Sequence, residues 1–259
     1  MTTHHDAWPT GTPSWADITV PDLAAARAFY GPLFGWEFEE GGPELGHYTQ
    51  AFVGGRRVVG LGEPMSDGPA PPPAWCVYLA TADLPATAAA VAEAGGSEVL
   101  APMAIMDFGT MGLYADAAGA VFGLWQPGTH TGWDVVEEDG SVVWSEVMVH
   151  DQPGALAFYR RVFGFGSEDL SAPGFAYASL SLGGAPVAGV GGYAPGADQA
   201  PPAWTLYFGV PDTDASAARV GSLGGTVVSP PTDTPFGRMA IVAGPFGEVF
   251  ALMGPVREA

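Results

Sequence analysis

The chain has 259 residues, 47% of them hydrophobic, which is enough apolar material for two cores of ordinary domain size. Eight basic residues, all arginine, stand against 28 acidic ones, and the formal charge of −20 excludes a basic stripe for nucleic acid or an anionic membrane. The single cysteine, Cys76, excludes an internal disulfide and a cysteine-based zinc site. With 38 Gly, 25 Pro and no lysine, the composition reads as coding bias rather than as function.

Residues 1–12 lack a basic-then-apolar leader pattern and are expected to form a mobile tail. An alternating strand follows at Trp15–Val20, then an Asp22 cap able to accept from the first-turn amides of a helix. Leu23, Ala26, Tyr30, Leu33 and Phe34 recur at helical spacing, and Gly35 is placed to end that helix. Strands are predicted at Tyr48–Val53 and Arg57–Gly62 around the hairpin signal Gly54-Gly55. After a Pro-rich joint at 64–73 the order recurs: strand Trp75–Ala80, cap Asp83, an Ala-rich helix to Gly95-Gly96, and strands near Gly112–Ala115 and Val121–Trp125. No uncharged apolar stretch reaches the ~20 residues a membrane helix needs, so a soluble cytoplasmic protein is expected.

The second half repeats the first at an offset of 129 residues. Trp15 falls on Trp144, Asp22 on Asp151, Phe29-Tyr30 on Phe158-Tyr159, Tyr48 on Tyr177, and Pro73-Ala74-Trp75 on Pro202-Ala203-Trp204. Past Pro102 and Pro231 the offset becomes 128, with Phe108-Gly109 facing Phe236-Gly237. A register held this long is the mark of a tandem duplication. Four βαβββ units are therefore expected near 14–64, 74–126, 143–193 and 203–254, with a second Pro-rich joint at 195–202. They group as module 1 (13–127), a polar linker (128–141) and module 2 (142–256). Unit 1 could pair with unit 2, or with unit 4 across the module boundary. Either way four units in one chain can close both cups, so a monomer or a homodimer is compatible.

The motifs Ile18-Thr19-Val20-Pro21-Asp22-Leu23, Arg27-Ala28-Phe29-Tyr30 and Leu33-Phe34-Gly35-Trp36 resemble the glyoxalase/bleomycin-resistance/extradiol-dioxygenase (vicinal oxygen chelate) superfamily. So do Val77-Tyr78-Leu79-Ala80-Thr81-Ala82-Asp83, the run Asp116 to Trp125, and in the second half Leu156-Ala157-Phe158-Tyr159 and Gly244 to Leu252. The Pro-x-Trp-x-Asp opening is similar to that of tandem members from high-GC bacteria, including a mycobacterial culture-filtrate antigen. The resemblance covers nearly all of 13–254 and implies an α+β tandem fold in which four βαβββ units form two cup-shaped sheets. It does not specify a reaction, because the fold hosts many.

Metal enzymes of the family place a His on the first strand, a His on the fifth and a Glu on the last. Counted from each cap Asp, these positions fall on Trp15, Cys76 and Gly123, and on Trp144, Thr205 and Ala251. None of these sets supplies two imidazoles and a carboxylate, so neither a metal nor another cofactor is expected. Strand alternation sets Asp17 and Thr19 on the face of Trp15, and Glu146 and Met148 on the face of Trp144. Asp17 and Glu146, a carboxylate at the same place in both modules, are the candidate acid–base residues. A structural acid paired with an arginine such as Arg56 or Arg238 is the competing reading. The candidate ligand wall is Trp15, Thr19, Tyr48, Tyr78 and Trp125 in module 1, and Trp144, Met148, Tyr177 and Tyr207 in module 2. Any one such aromatic is more often core than ligand wall. His4, His5, His47, His130 and His150 are read as solvated surface residues, and His150-Asp151 is rejected as a dyad because neighbours on extended chain point apart.

Two functions remain open. One is a metal-independent protein binding a small apolar, aromatic or carbonyl-bearing molecule, for sequestration, resistance or metabolite handling. The other is a glyoxalase-like lyase or isomerase, or an antibiotic-biosynthesis tailoring enzyme, using the cup carboxylates as acid and base.

Overall fold

The computed structural model describes residues 3–64, 71–194 and 200–256. Most of the two Pro-rich joints lies outside the described residues. The first half runs β1 (Pro13–Thr19), α1 (Leu23–Phe34), β2 (Glu37–Glu40), β3 (Thr49–Val53), β4 (Arg56–Gly62), β5 (Trp75–Ala80), α2 (Leu84–Glu93), β6 (Ser97–Ile105), β7 (Gly109–Ala115) and β8 (Val121–Pro127). The second half repeats it as β9 (Val142–Val149), α3 (Gln152–Phe163), β10 (Gly166–Asp169), β11 (Tyr177–Leu182), β12 (Ala185–Gly192), β13 (Ala203–Gly209), α4 (Thr213–Ser222), β14 (Thr226–Thr234), β15 (Gly237–Ala243) and β16 (Val249–Gly254).

Each half makes one eight-stranded mixed sheet, ordered β2-β3-β4-β1-β5-β8-β7-β6 and β10-β11-β12-β9-β13-β16-β15-β14. Unit 1 thus pairs with unit 2 and unit 3 with unit 4. The joint runs through the antiparallel pairs β1–β5 and β9–β13, where Trp15 faces Tyr78 and Trp144 faces Tyr207.

All four helices start alike. Asp22, Asp83, Asp151 and Asp212 each accept from the amide three residues on, at 2.9–3.1 Å, satisfying one orphan donor of the first turn. α1 and α3 stop at Gly35 and Gly164, whose φ of 72° and 71° suits glycine. The short β2 and β10 and the long β6 and β14 carry few buried residues, so their alternation is weak and the sequence does not place them.

The backs of the two sheets and their helices share one core. Phe34 of α1 packs at 4.9 Å on Phe208 of β13, Phe29 reaches Phe250 of β16, and Phe122 of β8 meets Tyr159 of α3. Two buried polar links cross the same boundary: Tyr30 donates to Glu248 at 2.6 Å, and Tyr159 donates to Asp116 at 2.9 Å while accepting from Trp204 at 3.0 Å. With the backs buried together, the opposite faces are left to form the cups.

Candidate functional site

On the cup face of the first sheet, β1 presents Trp15 and Asp17, and β5 presents Cys76 and Tyr78 opposite them. Tyr48, at the entry to β3, leans across Gly60 of β4, and Gly60 is itself the parallel partner of Asp17. A Cβ at Gly60 would overlap the Tyr48 hydroxyl, so the glycine makes room for the phenol to reach the acid. The result is a chain of hydrogen bonds: Trp15 Nε1 donates to the Tyr48 hydroxyl at 3.0 Å, and Tyr48 and Tyr78 each donate to Asp17 Oδ2 at 3.2 Å. Both phenols use the same carboxyl oxygen, leaving Oδ1 for a proton or a ligand.

Burial raises the Asp17 carboxyl to about 7, and the two phenols offset only part of that effect. Burial and the Asp17 charge hold Tyr48 and Tyr78 far above the ordinary phenol range. Cys76 is likewise pushed up by burial and by Asp17, so it stays a thiol.

The second cup repeats the device with a longer acid. Trp144 Nε1 donates to the Tyr177 hydroxyl at 2.8 Å, and Tyr207 donates to Glu146 Oε1 at 2.7 Å. Burial raises the Glu146 carboxyl, with Tyr207 and Tyr177 pulling the other way. Gly189 stands beside Glu146 as Gly60 stands beside Asp17, and a Cβ there would meet the Tyr177 hydroxyl. Gly60 and Gly189 lie 129 apart, so the repeat carries the signal for this close approach, which alternation alone does not reveal.

The structure therefore brings together Trp15, Asp17, Tyr48 and Tyr78, and separately Trp144, Glu146, Tyr177 and Tyr207. Trp125 is also in the first cup, buried, with Nε1 donating to the carbonyl of His130 at 2.8 Å. Thr19 sits exposed at the end of β1, clear of the network, and Met148 lies half-buried beside Gly191. The arginine pairing considered for the acids does not occur: Arg56 pairs with Glu138, and Arg238 with Asp214 and Asp233. Phenols, not guanidinium groups, hold both carboxyls.

Two histidine readings need correction. His130 is 7% exposed, because the linker folds into the mouth of the first cup and sets its imidazole edge-on to Trp15 at 4.5 Å. His4 stacks on Trp8 at 3.9 Å, and its amide donates to the Asp134 carbonyl, so the segment expected as a mobile tail lies along the linker. His47 and His150 are exposed, the first bonded to Glu40 and the second to the Ala200 carbonyl.

The positions that the resemblance assigns to metal ligands hold Trp15, Cys76 and Gly123 in one sheet and Trp144, Thr205 and Ala251 in the other. Gly123 pairs with Tyr78, and a Cβ at Gly123 would run into the Tyr78 ring, so the phenol covers the place of the last-strand carboxylate. Among the described residues no group of three His, Cys, Asp or Glu could hold a metal ion. The donor set does not fit the family's metal.

The two sheets with this register define a tandem βαβββ fold, and comparison with known proteins places it. The model of the Glyoxalase/Bleomycin resistance protein/Dioxygenase superfamily matches residues 12–124 and 141–252, and the chain belongs to that superfamily. It is 37% identical over 257 residues to CFP32 of Mycobacterium tuberculosis, which carries the provisional name of a glyoxylase, covering 96% of each chain. It is 35% identical over 263 residues to the anthracycline biosynthesis protein DauV of Streptomyces sp. strain C5, covering 96% of this chain and 94% of that one. The Mn(II)-bound glyoxalase of Novosphingobium aromaticivorans has the same fold, with a TM-score of 0.67 at 16% identity over 97% of this chain and 84% of the other. Among the described residues no helix is long and apolar enough to cross a membrane.

Proposed function

We propose that the protein binds a planar, carbonyl-bearing small molecule in its cups without a metal ion. The observation that carries this reading is the twice-built cluster of an indole, two phenols and one acid: Trp15, Tyr48, Tyr78 and Asp17, then Trp144, Tyr177, Tyr207 and Glu146. A neutral Asp17, with Oδ2 occupied by phenols, offers an Oδ1–H donor to a ligand carbonyl, and Trp15 and Trp125 supply flat apolar walls. Wall and donor together select a flat ring system with an oxygen acceptor. DauV, named for anthracycline biosynthesis, supports the polycyclic aromatic class. Each sheet is complete within one chain, so no second subunit is required.

Quenching of tryptophan fluorescence by anthraquinone-2-carboxamide, a flat dicarbonyl that does not titrate near neutrality, tests the reading. Saturable binding that survives a chelator, and weakens about tenfold or more in Asp17→Ala and Trp15→Ala, is the expected outcome; tenfold corresponds to about 1.4 kcal/mol. Binding abolished by the chelator, or equal in both variants and the parent, would refute it.

One observation favours a second, catalytic reading: a carboxyl held near 7 suits a general acid or base at neutral pH. On that reading the protein is a glyoxalase-like isomerase or a tailoring enzyme in antibiotic biosynthesis. Turnover of a hemithioacetal, insensitive to chelator and lost in Asp17→Asn, would establish it.

A further inference from the structure

We propose that His130, carried by the inter-module linker, is a ligand-contacting hydrogen-bond donor of the first cup and makes the two cups unequal in specificity. The inference rests on the reading that the first cup binds a planar carbonyl compound.

The linker is fastened over this cup at several points. Gly128 and His130 donate their amides to the Phe108 carbonyl, and Thr129 donates to Asp107, which ties the segment to the turn between β6 and β7. Beyond it, Trp133 donates its amide to the Ser14 carbonyl at 2.7 Å, and Asp134 forms an ion pair with Arg57 at 2.8 Å. Between these ties the imidazole is wedged edge-on against two indoles, 4.5 Å from Trp15 and 5.6 Å from Trp125. Trp125 also fixes the backbone here through its bond to the His130 carbonyl. These are the two indoles assigned to the ligand wall, so the histidine stands in the wall with them.

Its protonation state follows from one bond. Nδ1 accepts from the Gly132 amide at 3.0 Å, so the proton of the neutral ring resides on Nε2. Burial, with Arg57 adding in the same direction and Asp134 opposing, lowers the imidazole to about 4. Around neutrality it is therefore a neutral N–H donor in need of an acceptor. A ligand carbonyl seated on Trp15 provides such an acceptor.

The sequence of the second half does not repeat this histidine. The offset of 128 places the counterpart of His130 at Glu258, which has no N–H donor and lies outside the described residues. One linker joins two modules, so it dresses only the cup that precedes it. The first cup then offers a carboxylic acid and an imidazole N–H, suited to a ligand with two oxygen acceptors, while among the described residues no histidine ring packs on Trp144 of the second cup.

The test measures binding of anthraquinone-2-carboxamide to the intact chain and to His130→Phe, which keeps a ring in the wedge, and His130→Gln, which keeps an N–H. The expected result is about tenfold weaker binding in His130→Phe, the factor for ~1.4 kcal/mol of lost donor, with His130→Gln recovering most of it. Nitrogen NMR of the histidine ring gives a readout independent of how the variants fold: saturation with the probe should shift the His130 Nε2 resonance. Equal affinity in His130→Phe and the parent, or an Nε2 resonance unmoved at saturation, overturns the assignment. If Trp15→Ala still weakens binding in that case, the cup reading survives and only the His130 role fails. If the parent does not bind the probe at all, both fall.

Discussion

Asp17 is where burial, charge and hydrogen bonding meet, and its titration has a consequence for stability. Its folded carboxyl sits near 7, above the ordinary value of 3.8, so the unfolded chain loses this proton first as pH rises. Between about pH 4 and pH 7 the folded state binds more protons, and stability falls with increasing pH before levelling off above 7. The rise from 3.8 to about 7 corresponds to about 4 kcal/mol of that loss, less what solvent screening removes at the half-buried Asp17. Asp17→Asn, which cannot ionise, is expected to gain about 1–3 kcal/mol over the parent at pH 8 and nothing at pH 4, as read from urea midpoints. Glu146 contributes with the same sign to both proteins, since its carboxyl is also raised. A variant less stable than the parent at pH 8 would mean that the Asp17 charge is welcome. That Asp17 and Glu146 share a face with Trp15 and Trp144 was legible from alternation alone. The four tyrosines were legible as wall residues of the same cups; their direct bonds to the acids were not, because Tyr48 and Tyr177 arrive from other strands and nothing local in their sequence announces the reach over Gly60 and Gly189.

At the scale of the element, glycines and caps hold the site in place. Gly123 on β8 pairs with Tyr78, whose ring lies against it. Gly123→Ala is therefore expected to cost about 1–3 kcal/mol by overpacking, and to weaken ligand binding by displacing the phenol that bonds Asp17; thermal melts and the quenching titration check both. The helix caps make a quieter prediction: Asp83→Ala should cost about 1 kcal/mol, measured by urea unfolding, with little effect on the cup. The caps and glycine stops were readable because they depend on neighbours a few residues away. The strands β2, β6, β10 and β14 were not, since exposed edge strands lack a buried face to impose alternation. His130 escaped for a related reason: a polar linker reads as solvated until the fold lays it across two indoles.

The molecule as a whole is two cups set back to back on a shared core, with the buried links Tyr30–Glu248 and Tyr159–Asp116 crossing it. The duplication was visible in the offset of 129, but not the packing of α1 on the second module and α3 on the first, which depends on aromatic contacts between distant residues. Tyr159→Phe should leave a buried Asp116 oxygen and Trp204 Nε1 without this partner, costing about 1–3 kcal/mol. Because the core is common, denaturation should remain one transition when followed by tryptophan fluorescence and by circular dichroism; two separated transitions would show that the modules unfold independently. The central claim, a metal-free cup that receives a carbonyl on a neutral acid, is tested most directly by the affinity for anthraquinone-2-carboxamide as a function of pH in the presence of a chelator. The Kd of the first cup should be flat below about pH 6 and rise toward tenfold per pH unit above about 7, as Asp17 surrenders the proton it donates; in Asp17→Asn, whose amide still donates, the first cup's Kd should not change with pH. An affinity indifferent to pH in the parent, or one that disappears when divalent ions are removed, would contradict it.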